Sequence, residues 1–102
     1  MKTFIVDIDG TICTDSRGRY ELARPIRNRI KYFNNLVDSG HTVIYWTARG
    51  GNSGKDWSEL TKNQLKSWNV KYTELRMGKP AYDFWIDDKA YNGNRFFDEL
   101  HQ

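Results

Sequence analysis

The sequence predicts an α/β fold with helices packed on a mostly parallel sheet. Three observations carry that prediction. Short apolar runs alternate with longer segments whose apolar residues recur at helical spacing. One run, Val43-Ile44-Tyr45-Trp46, is continuous, as suits a strand covered on both faces. Polar clusters close three of the runs: Asp7 with Asp9, Thr47 with Arg49, and Asp87 with Asp88. Ligands of open α/β sheets bind beyond the C-terminal ends of the strands, so three such clusters point to a site more than to three unrelated turns.

Residues 3–8 form the first expected strand, with Phe4-Ile5-Val6 leading into Asp7-Ile8-Asp9-Gly10-Thr11. Residues 9–24 are polar, contain Gly10 and Gly18, and read as a loop or short hairpin. Pro25 suits the first turn of a helix, where its missing N–H does no harm. Ile26, Ile30, Phe33 and Val37 then share one helical face, which Ser39-Gly40 ends with a left-handed cap at Gly40. Residues 42–46 are the second strand, and Gly50, Gly51, Ser53 and Gly54 make a flexible loop. Asp56 with Glu59 resembles a helix cap. Trp57, Leu60, Gln64, Leu65 and Trp68 follow at helical spacing, Gln64 being the polar member. Residues 70–73 are a weak third strand, 74–82 a loop holding Gly78-Lys79-Pro80, and 84–86 a fourth strand ending at Asp87-Asp88. Asn92 or Asn94 caps a short last helix that turns Phe96, Phe97 and Leu100 inward.

The 102 residues are expected to form one domain with a single core. No apolar run approaches the ~20 residues of a membrane span, and no basic-then-apolar leader opens the chain. A cytoplasmic protein without a membrane partner is therefore expected. The net charge of +3 admits anionic substrates without demanding nucleic acid. The basic residues between Arg17 and Lys31 read as a solvated face. Cys13, the sole cysteine, excludes an internal disulfide and reads as a small buried filler more than as a reactive thiol.

In an extended chain Asp7 and Asp9 point to the same side. The plain reading of Asp-x-Asp-Gly is a strand-ending turn. The other clusters favour a site, since like charges so close call for a cation or a shared proton. A hard divalent ion such as Mg2+ suits carboxylate and carbonyl oxygens. Three carboxylates on one ion leave an oxygen of Asp7 free to attack phosphorus and form an aspartyl-phosphate. Asp9 can protonate the leaving oxygen and later deprotonate water. Thr47 and the Ala48 N–H can bind phosphoryl oxygens, and Lys79 supplies positive charge to them and to Asp7.

These motifs resemble the haloacid dehalogenase (HAD) superfamily of phosphohydrolases. Its first motif is similar to Asp7-Ile8-Asp9-Gly10-Thr11, and its second, a hydrophobic strand ending in Thr or Ser, to residues 43–47. Its lysine is similar to Lys79, and its acidic pair after a strand to Asp87-Asp88. The resemblance spans residues 3–90. The stretch 78–90 also looks like small HAD proteins found with capsule or lipopolysaccharide genes and in phages. The resemblance implies a three-layer Rossmann-like sandwich with the fourth strand beside the first and the second on its other side. It implies Asp7 as nucleophile and Mg2+ ligand, and Asp9 as general acid/base with its carbonyl on the metal. Asp87 becomes a third metal ligand, with Asp88 bound directly or through water. An Asp two residues after the nucleophile implies a phosphatase or phosphomutase. The chain has no room for the family's cap domain, so the site looks open to bulky substrates or closed by a neighbouring subunit of a homo-oligomer.

Arg49 could clamp a second anionic group of the substrate or form a loop salt bridge. Asn52, Lys55 and Asp56 read as a helix-capping loop before a site lining. Lys89 reads as a salt-bridge partner of Asp87 or Asp88. His41 and His101 receive no role. Trp46, Trp57, Trp68 and Trp85 read as core before base-stacking platforms. The leading expectation is a Mg2+-dependent phosphomonoesterase acting on a phosphorylated small molecule, such as a sugar phosphate or nucleotide. Its alternatives are a nucleic-acid end-processing phosphatase, which is not favoured, and a phosphoryl-accepting switch without turnover. Receivers of that kind place their acceptor Asp after the third strand, unlike Asp7.

Overall fold

The computed structural model describes residues 1–51 and 54–100. Asn52, Ser53 and His101 lie outside the described residues. Three parallel strands form an open sheet in the order β1, β2, β3: Thr3–Val6, Thr42–Trp46 and Glu74–Arg76. Three helices accompany them: α1 (Arg27–Asp38), α2 (Ser58–Ser67) and α3 (Gly93–Leu100). A 3-10 turn at Tyr20–Leu22 lies in the loop between β1 and α1. This is a small α/β arrangement compatible with a Rossmann-like fold.

Register explains the core. Val6 pairs with Tyr45, and Tyr45 with Leu75; one residue earlier, Ile5 pairs with Ile44 and Ile44 with Glu74. Partners in register share a face, and neighbours along a strand face opposite ways. The row holding Val6 and Tyr45 joins the apolar cluster, with Phe4 and Leu75 packed against it. All three helices feed that cluster: Ile30 and Phe33 from α1, Leu65 from α2 and Phe97 from α3. Phe97 meets Tyr32 and Phe33 edge-on, at 5.6 Å between ring centroids in both cases. On the other face Ile44 is buried but Ile5 is 60% exposed, so cover on both faces holds for β2 and fails for β1.

Gly40 and Asn92 cap helix ends as the sequence suggests. At the end of α1, Gly40 takes φ +91 and donates to the Val37 carbonyl, while His41 donates to Leu36. This is the paired cap that a left-handed residue permits. Asn69, at φ +57, does the same for α2: its amide donates to Lys66 and that of Val70 to Leu65. Asp56 Oδ1 accepts the Ser58 amide at 2.9 Å, and Asn92 Oδ1 accepts that of Asn94 at 3.0 Å. The first helix starts later than Pro25, because Pro25 bridges Cys13 and Ile26 serves as the N-cap.

Three strands differ from expectation, the first by ending at Val6 and not at residue 8. The third is displaced from 70–73 to Glu74–Arg76. Val70 spends its amide on the α2 cap, so it cannot open a ladder; Thr73 makes the first link, donating to Val43 at 2.8 Å. The fourth, expected at 84–86 beside β1, is not a strand. Phe84 is 85% and Ile86 94% exposed. Trp85 instead meets Trp46, at the end of β2, with centroids 6.1 Å apart, and Tyr82 at 5.0 Å. These contacts hold the segment at the end of β2, leaving β1 as a sheet edge.

Candidate functional site

Asp7 directly follows β1, Thr47 directly follows β2, and Lys79 lies three residues past β3. Parallel pairing brings these three ends to one edge of the sheet. The Thr47 amide donates to the Arg76 carbonyl, and the Lys79 amide donates back to the Thr47 carbonyl, both at 3.0 Å. Tied there, Lys79 reaches across to β1, with Nζ 3.8 Å from Asp7 Oδ1. The Lys79 ammonium also lies 5.3 Å from the Tyr82 ring and 5.5 Å from that of Trp85, within cation–π range.

A second tie runs from Thr47 to Asp9. Thr47 Oγ1 accepts the Arg49 amide at 3.2 Å. The Arg49 guanidinium forks onto Asp9, from Nε to Oδ2 at 2.9 Å and from Nη2 to Oδ1 at 2.8 Å. Its Nη1 donates to Thr61 Oγ1 at 3.1 Å and to Gln64 Oε1 at 2.6 Å. Its Cζ stands 4.7 Å from the Tyr20 ring. Only 3% of Arg49 is exposed. Of the two readings of Arg49, the ion pair is the one seen: the guanidinium is held inside the protein by Asp9, Thr61 and Gln64. The contacts close a ring: Asp7 to Lys79, Lys79 to Thr47, Thr47 to Arg49, and Arg49 to Asp9, two residues from Asp7.

The environment tunes the acids differently. Partial burial raises the Asp7 carboxyl above its ordinary value, while the Lys79 charge and the Ile8 amide pull it back. Burial and the Asp9 charge push the Cys13 thiol up to about 12. Cys13 is fully buried and its Sγ lies 3.5 Å from Asp9 Oδ1, so it packs under the acid and is no thiolate nucleophile. Asp87 moves the other way: it is exposed, and its Oδ1 accepts the Lys89 amide at 2.8 Å, which lowers its pKa. Lys89 thus serves Asp87 through its backbone.

The structure therefore brings together Asp7, Asp9, Thr47, Ala48 and Lys79, with Arg49 beneath them, and leaves Asp87 and Asp88 outside. A hard divalent ion wants several oxygen ligands at once. Among the described residues no three Asp, Glu, His or Cys side chains gather closely enough to hold a metal. The Asp87 carboxylate is taken by its own turn, so this arrangement does not gather the expected Mg2+ ligands, the Asp7, Asp87 and Asp88 carboxylates with the Asp9 carbonyl, at one place. Gln64 was visible as the polar member of an apolar helical face; it anchors Arg49 and donates to the Tyr20 carbonyl at 2.6 Å. Tyr20 beneath Arg49, and Tyr82 and Trp85 around Lys79, carried no local sign of these roles.

Comparisons with known proteins follow the fold. No family model matches the sequence, and no curated protein matches it. Among solved structures, the chain is similar to a target protein from Vibrio cholerae, at 27% identity and a TM-score of 0.81, over 99% of this chain and 94% of that one. It is also similar to a chain of a Pnkp1/Rnl/Hen1 complex, at 20% identity and a TM-score of 0.62, over 97% of this chain and 33% of that one. The second likeness is one of fold alone.

Proposed function

We propose that this chain is a phosphomonoesterase of the haloacid dehalogenase type that works through an aspartyl-phosphate on Asp7. One observation carries the reading: the closed ring of contacts that joins Asp7, Lys79, Thr47, Arg49 and Asp9 at one end of the sheet. An Asp7 oxygen attacks the phosphorus of the ester, and the bond from phosphorus to the leaving oxygen breaks. That oxygen takes a proton from Asp9. Asp9, now a carboxylate, takes a proton from water, whose oxygen attacks the phosphorus. The bond from phosphorus to Asp7 breaks, which returns the carboxylate and releases inorganic phosphate. Lys79, the Thr47 hydroxyl and the Ala48 N–H offset charge on the phosphoryl oxygens. Arg49 is a positioning residue: its two-point fork holds Asp9, and one of the two contacts opens when Asp9 carries the proton.

Phosphate release from an aryl phosphate, with and without Mg2+, tests this reading. Asp7→Asn should lower release by roughly a thousandfold or more while keeping the fold. Full release by the variant would sink the proposal, and a long-lived phosphorylated protein without turnover would mark a switch instead. Mg2+ dependence is a separate part of the proposal, because the acids as arranged do not gather around one ion. Metal-dependent release that Asp87→Asn removes would require residues 84–88 to approach Asp7. Release indifferent to Mg2+ would leave the cationic role to Lys79.

A further inference from the structure

Lys79 owes its place to the turn after β3. Gly78, at φ +77, takes the left-handed conformation that turns the chain there. The Lys79 amide then closes on the Thr47 carbonyl. The Lys79 side chain is only 13% exposed, yet its polar partners are few. Among the described residues the ammonium makes one ion pair, with Asp7 at 3.8 Å, and no hydrogen bond. That distance is too long for a hydrogen bond, so the three N–H donors of the ammonium are open. Two aromatic rings flank it, Tyr82 at 5.3 Å and Trp85 at 5.5 Å to the ring centroids.

These rings stand on the sheet. Trp85 meets Trp46, the last residue of β2, edge-on at 6.1 Å, and Tyr82 leans on Trp85 at 5.0 Å. Trp46 directly precedes Thr47, so the wall beside Lys79 is fixed to the strand that carries the phosphoryl-binding hydroxyl. Phe84 and Ile86 stay in solvent on either side, so Trp85 alone of its apolar triplet is used in this contact. The chemistry of the contact matters. A carboxylate that gripped the ammonium would take its N–H donors and add a negative charge that repels phosphate. An aromatic face attracts the cation through its quadrupole and adds no charge. The stem of a lysine is flexible, and one contact at 3.8 Å does not fix its end. Two rings confine that end and leave the donors free.

Resting on the phosphomonoesterase reading above, we propose that Tyr82 and Trp85 are positioning residues: they hold the Lys79 ammonium beside Asp7 with its N–H donors free for the phosphoryl oxygens. Release of phosphate from an aryl phosphate, with kcat and KM read separately, tests this in Tyr82→Leu, in Trp85→Leu and in the pair, each also made in Lys79→Met. Each single change should lower kcat roughly threefold and the pair about tenfold, with KM moving less. Tyr82→Phe and Trp85→Phe keep a ring and should keep most of the rate. In Lys79→Met the leucine changes should cost nothing further, because rings that act through the ammonium then have nothing to hold. An equal fall with and without Lys79, or the same fall in the exposed neighbour Phe84→Leu, would overturn the proposal. A second readout stands apart from activity. The Lys79 Cε–Hε NMR signal, identified by its loss in Lys79→Met, should lie upfield through ring current and move back in Tyr82→Leu and Trp85→Leu. An ordinary position for that signal in the parent protein would also overturn the proposal. Tyr82 is half-exposed, so its variants serve even where Trp85→Leu disturbs folding. A displaced signal in a parent protein that releases no phosphate from any ester would instead overturn the phosphomonoesterase reading and leave the ring contacts standing.

Discussion

The chain carries two acidic pairs that look alike on paper. Phe4-Ile5-Val6 leads to Asp7 and Asp9, and Phe84-Trp85-Ile86 leads to Asp87 and Asp88. In the structure they are opposites. The first apolar run pairs along its length with β2, which plants its acids among Lys79, Arg49 and Thr47. The second joins no strand ladder among the described residues, and its acids stand in solvent. Burial raises the Asp7 pKa, while a backbone amide lowers that of Asp87. A run of apolar residues followed by acids is thus only half of a site. The ladder partner decides whether the carboxylates are desolvated and meet cations, or close a turn.

The largest effect that sharpens this contrast is on stability at Arg49. Arg49→Met leaves Asp9 partly buried without its partner, which should cost about 3 kcal/mol in urea unfolding. Arg49→Lys should cost less, since it keeps the charge and loses the fork. A neutral Arg49→Met would mean that the first pair is no better embedded than the second.

The next effect is on pH. Lys79 pulls the Asp7 carboxyl down against burial, so Lys79→Met should move the acidic limb of the rate profile to higher pH. Linkage follows the same sign. With a native pKa above its ordinary, unfolded value, the folded state holds the Asp7 proton longer than the unfolded state. Stability from this group is greatest below that value and falls as pH rises through the native pKa. Lys79→Met should extend that fall upward, and a limb that stays in place would break the link between Lys79 and Asp7. The smallest effect is at the second pair: Asp87→Asn and Asp88→Asn should leave the melting temperature unmoved. A clear drop would show that the exposed acids carry partners beyond the Lys89 amide.

Much of this was legible because it is local. The helical faces, the Gly40 cap, the Asn92 cap and the strand at 42–46 follow from side-chain period and backbone freedom, which the sequence contains. The convergence of Asp7 and Thr47 was also readable, since parallel strands carry their C-terminal ends to one edge; Asp87, the third residue expected there, is exposed instead. The place of 84–86 was not readable. Its apolar triplet suits a strand, yet Trp85 gains the Trp46 ring.

By itself the sequence determined which residue types stand at the strand ends: acids after β1, a hydroxyl after β2 and a lysine past β3. Tertiary structure alone decided how those charges are used. It turned Arg49 inward onto Asp9, placed Gln64 and Tyr20 beneath it, and kept Asp87 in solvent. The reason is physical. Period and propensity act over a few residues, whereas the energy of a charge depends on its burial and on partners brought from 40 residues away, as Arg49 is to Asp9.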